Sequence, residues 1–128
     1  MCIRDSYKDP YPRFGRCVLE MLRAVRLVID TGIHAKGWTL EQATDYARRN
    51  SSLSDEGIRS EVERFAAIPG QGLAYKIGEL KITELRKRAE VKLGPKFDIR
   101  AFHRAVLEDG AMPLNVLEGK IDRWIGAQ

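Results

Sequence analysis

Residues 18–38 read Val-Leu-Glu-Met-Leu-Arg-Ala-Val-Arg-Leu-Val-Ile-Asp-Thr-Gly-Ile-His-Ala-Lys-Gly-Trp, and the fold turns on this stretch. At about 100° per residue it is apolar around most of a helix, with Met21, Leu22, Val25, Val28, Ile29 and Ile33 on the wide side. Glu20, Arg23, Arg26, Asp30 and His34 gather in an arc of roughly 120°, shared only with Leu19 and Leu27. A helix this apolar is expected to be buried, where charge is costly unless paired. Arg26 and Asp30 are four residues apart, as are Asp30 and His34, so one carboxylate is expected to neutralise the arginine and orient the imidazole. The stripe itself admits two readings, the solvated side of an amphipathic helix or the wall of a cleft.

Outward from that helix the same periodicity recurs. Tyr7 to Pro12 reads as an extended lead-in, because each proline disfavours helix in the residue before it. The first helix is then expected over Arg13 to His34, with Gly37 as its stop. Thr39 with Gln42 forms a capping box opening a short helix to about Arg49. Asn50 to Ser52 marks a turn, and Ser54 can cap a helix to about Ala67 that packs through Ile58, Val62, Phe65 and Ala66. Pro69 fits the first turn of the next helix, which runs through Leu80, Leu85 and Ala89 to about Leu93, where Gly94-Pro95 ends it. Asp98 caps Ile99 to Glu108, with Phe102, Ala105 and Val106 inward, and Gly110 closes it. Pro113 starts the last helix, whose stripe is Leu114, Leu117, Ile121, Trp124 and Ile125. No strand-period segment, repeat or low-complexity tract interrupts this pattern, so the fold class is all-α with about six helices.

Composition narrows the function classes. With 44% hydrophobic and 31% charged residues, the 128-residue chain has the balance of a soluble globular protein and the length of one domain. The net charge of +4 is mild and no lysine or arginine run forms a polybasic arm, so no nucleic-acid partner is expected. No apolar run approaches the ~18 residues of a membrane span, and no signal-peptide pattern opens the chain. Met1 to Ser6 (Met-Cys-Ile-Arg-Asp-Ser) is what a transposon-end sequencing adapter would encode. The natural segment is therefore expected to begin near Tyr7, with 7–128 a single helical C-terminal subdomain truncated at its N-terminus. That leaves Cys17 alone, too few cysteines for a disulfide or a cysteine metal site, and it is expected to be a small core residue. His103 has no metal-ligand companion at i±4 and reads as a surface or helix-packing histidine.

Gly70, Gly72 and Gly78 are too many glycines for a helix chosen on propensity, which points to close approach of another backbone or a ligand. Gln71, Tyr75 and Ile82 share a face with Gly78 on the expected helix. Tyr75 is then either a core aromatic with its hydroxyl on a carbonyl or a donor facing a substrate. Glu84 to Glu90 reads as a solvated, charge-rich face.

Residues 23–38, Glu-Val-Glu-Arg-Phe (61–65), Pro-Gly-Gln-Gly-Leu-Ala-Tyr-Lys-Ile-Gly (69–78) and Ile-Asp-Arg-Trp-Ile (121–125) together resemble, in the same order, the bacterial family catalogued as domain of unknown function 885. That family is similar to helical zinc peptidases of the thimet-oligopeptidase and carboxypeptidase-Taq kind, with a His-Glu-x-x-Pro-Gly-His helix as the metal site. The motif is absent here, and His34 and His103 are the only histidines. The resemblance therefore implies no metal ligand and no cofactor in this segment, and zinc in the full-length parent. It implies the substrate-binding and oxyanion-side wall: Tyr75 and His34 as catalytic donors to an oxyanion, with Arg26, Asp30, Gln71 and Lys76 substrate-binding or supporting. The implied partners are the missing N-terminal part of the same protein and a peptide substrate, and export of the parent to the periplasm is a further expectation. The alternative is a stand-alone helical interaction module without catalysis.

Overall fold

A computed structural model describes residues 9–128, so Met1 to Ser6, and with them the adapter reading, lie outside the described residues. Six α-helices follow one another: α1 (Pro10–Lys36), α2 (Leu40–Asn50), α3 (Asp55–Ala67), α4 (Ala74–Leu93), α5 (Ile99–Leu107) and α6 (Leu114–Gly126). Single 3₁₀ turns occupy Gln71–Leu73 and Gly94–Lys96. The chain forms two compact units, one up to Lys76 and one over Ile77–Gln128.

The caps fall where the residues place them. The Thr39 hydroxyl accepts from the Gln42 N–H while the Gln42 side chain accepts from the Thr39 N–H, closing the capping box of α2. Ser54 and Asp98 cap α3 and α5 through their side chains, and α1 ends on the left-handed Gly37. Two expected boundaries move. The extended lead-in gives way to helix from Pro10, with Asp9 accepting the Tyr11 N–H as N-cap. Pro10 and Pro12 sit in the first turn, where the missing N–H groups would have had no intrahelical partner. Pro69, in contrast, is not helical: a turn with Gly70 at φ 83° intervenes and α4 begins only at Ala74.

In the first unit, α1, α2 and α3 bury Val25, Ile29, Ala43, Ala47, Ile58, Val62 and Phe65, with Ile33, Trp38, Tyr46 and Leu53 packed around them. In the second, Leu85, Ala89, Phe102, Ala105, Leu117, Ile121 and Ile125 form a separate core, in which Phe102 meets Trp124 edge-on. The α4 face expected to be simply solvated is tied down. Arg88 donates to Glu118 and Asp122 of α6 as well as to Glu84 on its own helix, and Lys81 also reaches Glu118. Spacing along one helix cannot reveal pairing with another. His103 is exposed and lies against the Phe102 ring, as a packing histidine does. Cys17 is exposed, not core, because little packs on the first half of α1; Tyr11, Phe14, Leu19 and Met21 are exposed there too.

Candidate functional site

Among the described residues Asp30 is the buried polar residue of the core, 2% exposed in the last third of α1. Its Oδ1 accepts the Gly70 N–H and its Oδ2 the Gly72 N–H, both at 3.0 Å. Gly70 and Gly72 stand at the start of the 3₁₀ turn Gln71–Leu73, where the first amides have no intrahelical partner, so a carboxylate with two oxygens takes both. Contact is tight: a Cβ on Gly72 would lie 3.0 Å from the Arg26 carbonyl oxygen and 3.2 Å from the Asp30 Cβ. The close approach expected of the glycines is thus loop backbone on helix backbone. The left-handed Gly70 supplies the bend that aims both N–H groups at one side chain. Gly78 meets nothing within 4 Å.

The expected Arg26–Asp30–His34 ladder is accordingly not formed. Arg26 instead pairs across to α3, its guanidinium 2.8 Å from the Glu61 carboxylate, which Arg64 also contacts at 3.0 Å. Arg64 donates to the Gln71 side-chain oxygen at 3.0 Å, and both guanidinium groups lie over the Phe65 ring. The Phe65 carbonyl is 2.9 Å from His34 Nε2. A carbonyl only accepts, so Nε2 carries the proton and donates; a neutral His34 then has no second N–H to offer. The i,i+4 spacing was compatible with an intrahelical ladder, but the loop amides and Glu61 are better-placed partners supplied by other elements.

Tyr75, in the first turn of α4, is 54% exposed, and the Arg23 guanidinium sits over its ring at 5.3 Å. It is therefore not a core aromatic of this chain. Lys76, half-buried, follows it. The structure links Arg26 to Gln71 through Glu61 and Arg64, holds the amides on either side of Gln71 with Asp30, places His34 on the Phe65 carbonyl, and sets Tyr75 four residues after Gln71. No hydrogen bond or ring contact joins Tyr75 to His34 among the described residues. Arg23, Glu61 and Arg64 are the participants that reasoning from sequence left without a role. The signal was present, since Arg23 belongs to the polar arc of α1 and the other two to the Glu-Val-Glu-Arg-Phe segment.

Among the described residues no group of three or more histidine, cysteine, aspartate or glutamate side chains could hold a metal ion, so the residues present do not fit a zinc site. No helix among them is long and apolar enough to cross a membrane.

Residues 4–121 match the family model described as "Bacterial protein of unknown function (DUF885)". A solved structure, that of the "putative lipoprotein" from Colwellia psychrerythraea, is 45% identical in sequence and superposes with a TM-score of 0.90 over 94% of this chain. The chain spans 20% of that protein's length. None of the curated proteins compared matches it.

Proposed function

The chain belongs to the bacterial DUF885 family, and from that premise we propose that it is the C-terminal helical part of a larger zinc-dependent peptidase-like hydrolase. In this reading it supplies the substrate-binding wall of a cleft, while the metal ligands lie in another part of the longer protein. Its being one fifth as long as the solved relative supports a part of a larger assembly, and that relative's description as a lipoprotein supports export of the parent. The observation that carries the reading is Tyr75: a tyrosine left exposed by its own unit, on a backbone braced by a buried carboxylate. Bracing costs a buried charge, which a plain surface turn would not require.

Tyr75 Oη is the donor to the oxygen that gains negative charge when a scissile carbonyl is attacked, a role in which a donor fixed beforehand lowers the barrier. His34 can act as a second donor only as the imidazolium, through Nδ1–H, because Nε2–H is held by the Phe65 carbonyl. Arg26 and Gln71 shape the wall through Glu61 and Arg64, Asp30 fixes the loop, and Lys76, the residue after Tyr75, is the remaining substrate-binding group of this reading.

In the longer protein Tyr75→Phe removes one hydroxyl and little packing. Turnover is expected to fall on the order of 10²-fold with the Michaelis constant and melting temperature nearly unchanged. Full turnover with Phe at this position ends the assignment and favours the alternative, an interaction module that uses the exposed Tyr11, Phe14 and Met21 side of α1.

A further inference from the structure

Arg23 is held in an unusual way. The other arginines that meet α1 or α3 partners are neutralised: Arg16 by Glu20, and Arg26 and Arg64 by Glu61. Arg23 lies over the Tyr75 ring at 5.3 Å and touches no carboxylate among the described residues. A ring beneath a guanidinium fixes its plane and leaves the edge, with its forked N–H donors, free for a ligand. That fork matches the two oxygens of a carboxylate. One turn along α1, the Arg26 Nε is buried and has no hydrogen-bond partner. Gln71, whose side-chain oxygen accepts from Arg64, retains its own NH₂ as a donor. Arg26 and Arg64 share one side-chain carboxylate, Glu61, and Asp30 is spent on loop amides, so neither carboxylate is paired with Arg23.

We infer that Arg23, stacked on Tyr75, is the receptor for a carboxylate-bearing ligand, and in particular for the free C-terminal carboxylate of a peptide. The inference rests on reading this surface as a substrate-facing wall, and it narrows the substrate class to one that ends in an acid. Tyr75 then has two functions, its ring holding Arg23 and its hydroxyl remaining available to the substrate. The Arg26–Glu61–Arg64 cluster, two guanidiniums on one carboxylate, leaves one net positive charge in the same unit, and Gln71 can donate to the neighbouring peptide carbonyl.

The test is binding to this chain, followed at the arginine Nε–Hε resonances, with three probes: N-acetyl-dialanine, its C-terminal amide and inorganic phosphate. The expected result is saturable binding of the acid at Arg23, with the amide at least about 10-fold weaker and phosphate no better than the amide. Arg23→Gln should abolish the preference, while Arg23→Lys, which keeps the charge and loses the planar fork, should weaken acid binding by several fold. Tyr75→Leu should act like Arg23→Gln by removing the platform. Arg59→Gln, an exposed arginine outside the patch, should change nothing. Equal binding of acid and amide, or tighter binding of phosphate, overturns the inference. In the longer protein, Arg23→Gln should lower kcat/KM for the acid on the order of 10- to 100-fold and leave the amide within about 3-fold. If Arg23→Gln instead lowers the melting temperature without changing that ratio, Arg23 is an internal ion-pair partner and the inference fails. A Tyr75→Phe enzyme with full turnover that still prefers the acid removes the oxyanion role alone and leaves the carboxylate receptor standing.

Discussion

Replacing Asp30 with asparagine tests the mechanical basis of the candidate site. The native carboxylate holds two loop amides at 3.0 Å in a position that is 2% exposed. Hydrogen bonds to a charged acceptor contribute about 1.5–3 kcal/mol each. Asparagine can accept from one of the two amides at ordinary strength, about 1 kcal/mol, while its NH₂ opposes the other N–H. A neutral amide is also cheaper to bury than a carboxylate, which offsets roughly 1 kcal/mol of the loss. The net cost is therefore about 1–4 kcal/mol, a drop in Tm on the order of 10 °C for a chain of this size. Hydrogen exchange locates the damage: the Gly70 and Gly72 amides, protected in the native chain, should exchange orders of magnitude faster, while α5 and α6 amides stay as they were. A cycle with His34→Ala separates this account from the intrahelical ladder. His34 bonds Phe65 and not Asp30, so the two losses should add to within about 0.5 kcal/mol. An unchanged Tm with Gly72 still protected, or a coupling well above that value, would refute the reasoning.

The remaining predictions concern other parts of the chain. Arg88 first and then Lys81 hold the Glu118 carboxyl below its ordinary value of 4.5, and Lys81 and then Arg88 do the same for Glu84. A depressed carboxylate contributes stability that is complete above the ordinary value and is lost as pH falls through the lower folded one. Acid unfolding of α4–α6, followed by circular dichroism below about pH 4.5, should thus be shallower in Glu118→Gln than in the native chain, and identical curves would dismiss the network. Cys17 is exposed and unpaired, so it should react with a thiol reagent within minutes without denaturant; reaction only on unfolding would show that the first half of α1 is covered. The exposed Phe14 and Met21 line a groove with Arg49 to Ser52, and Phe14→Ser should reduce apolar-dye binding and self-association in sedimentation, with little change in Tm.

Much of the helical organisation could be read from the chain because its signals are local. A capping box spans four residues and a helical stripe repeats every three or four, so Thr39–Gln42, Ser54, Asp98 and the Leu114–Ile125 stripe declare themselves without any partner. The polar arc of α1 was legible for the same reason, as was the oddity of Gly70 and Gly72. What could not be read was which group each polar side chain would choose. Asp30 had two partners at ideal helical spacing, yet the amides forty and forty-two residues away claimed it, and Glu61 claimed Arg26. Likewise Pro10 and Pro12 are compatible with either an extended lead-in or a first helical turn, and Asp9 capping decided for the turn. Periodicity along one helix tells which side a residue is on, because that is set by backbone geometry. It cannot tell what lies opposite, because buried N–H groups and charges must be satisfied wherever the tertiary fold delivers them.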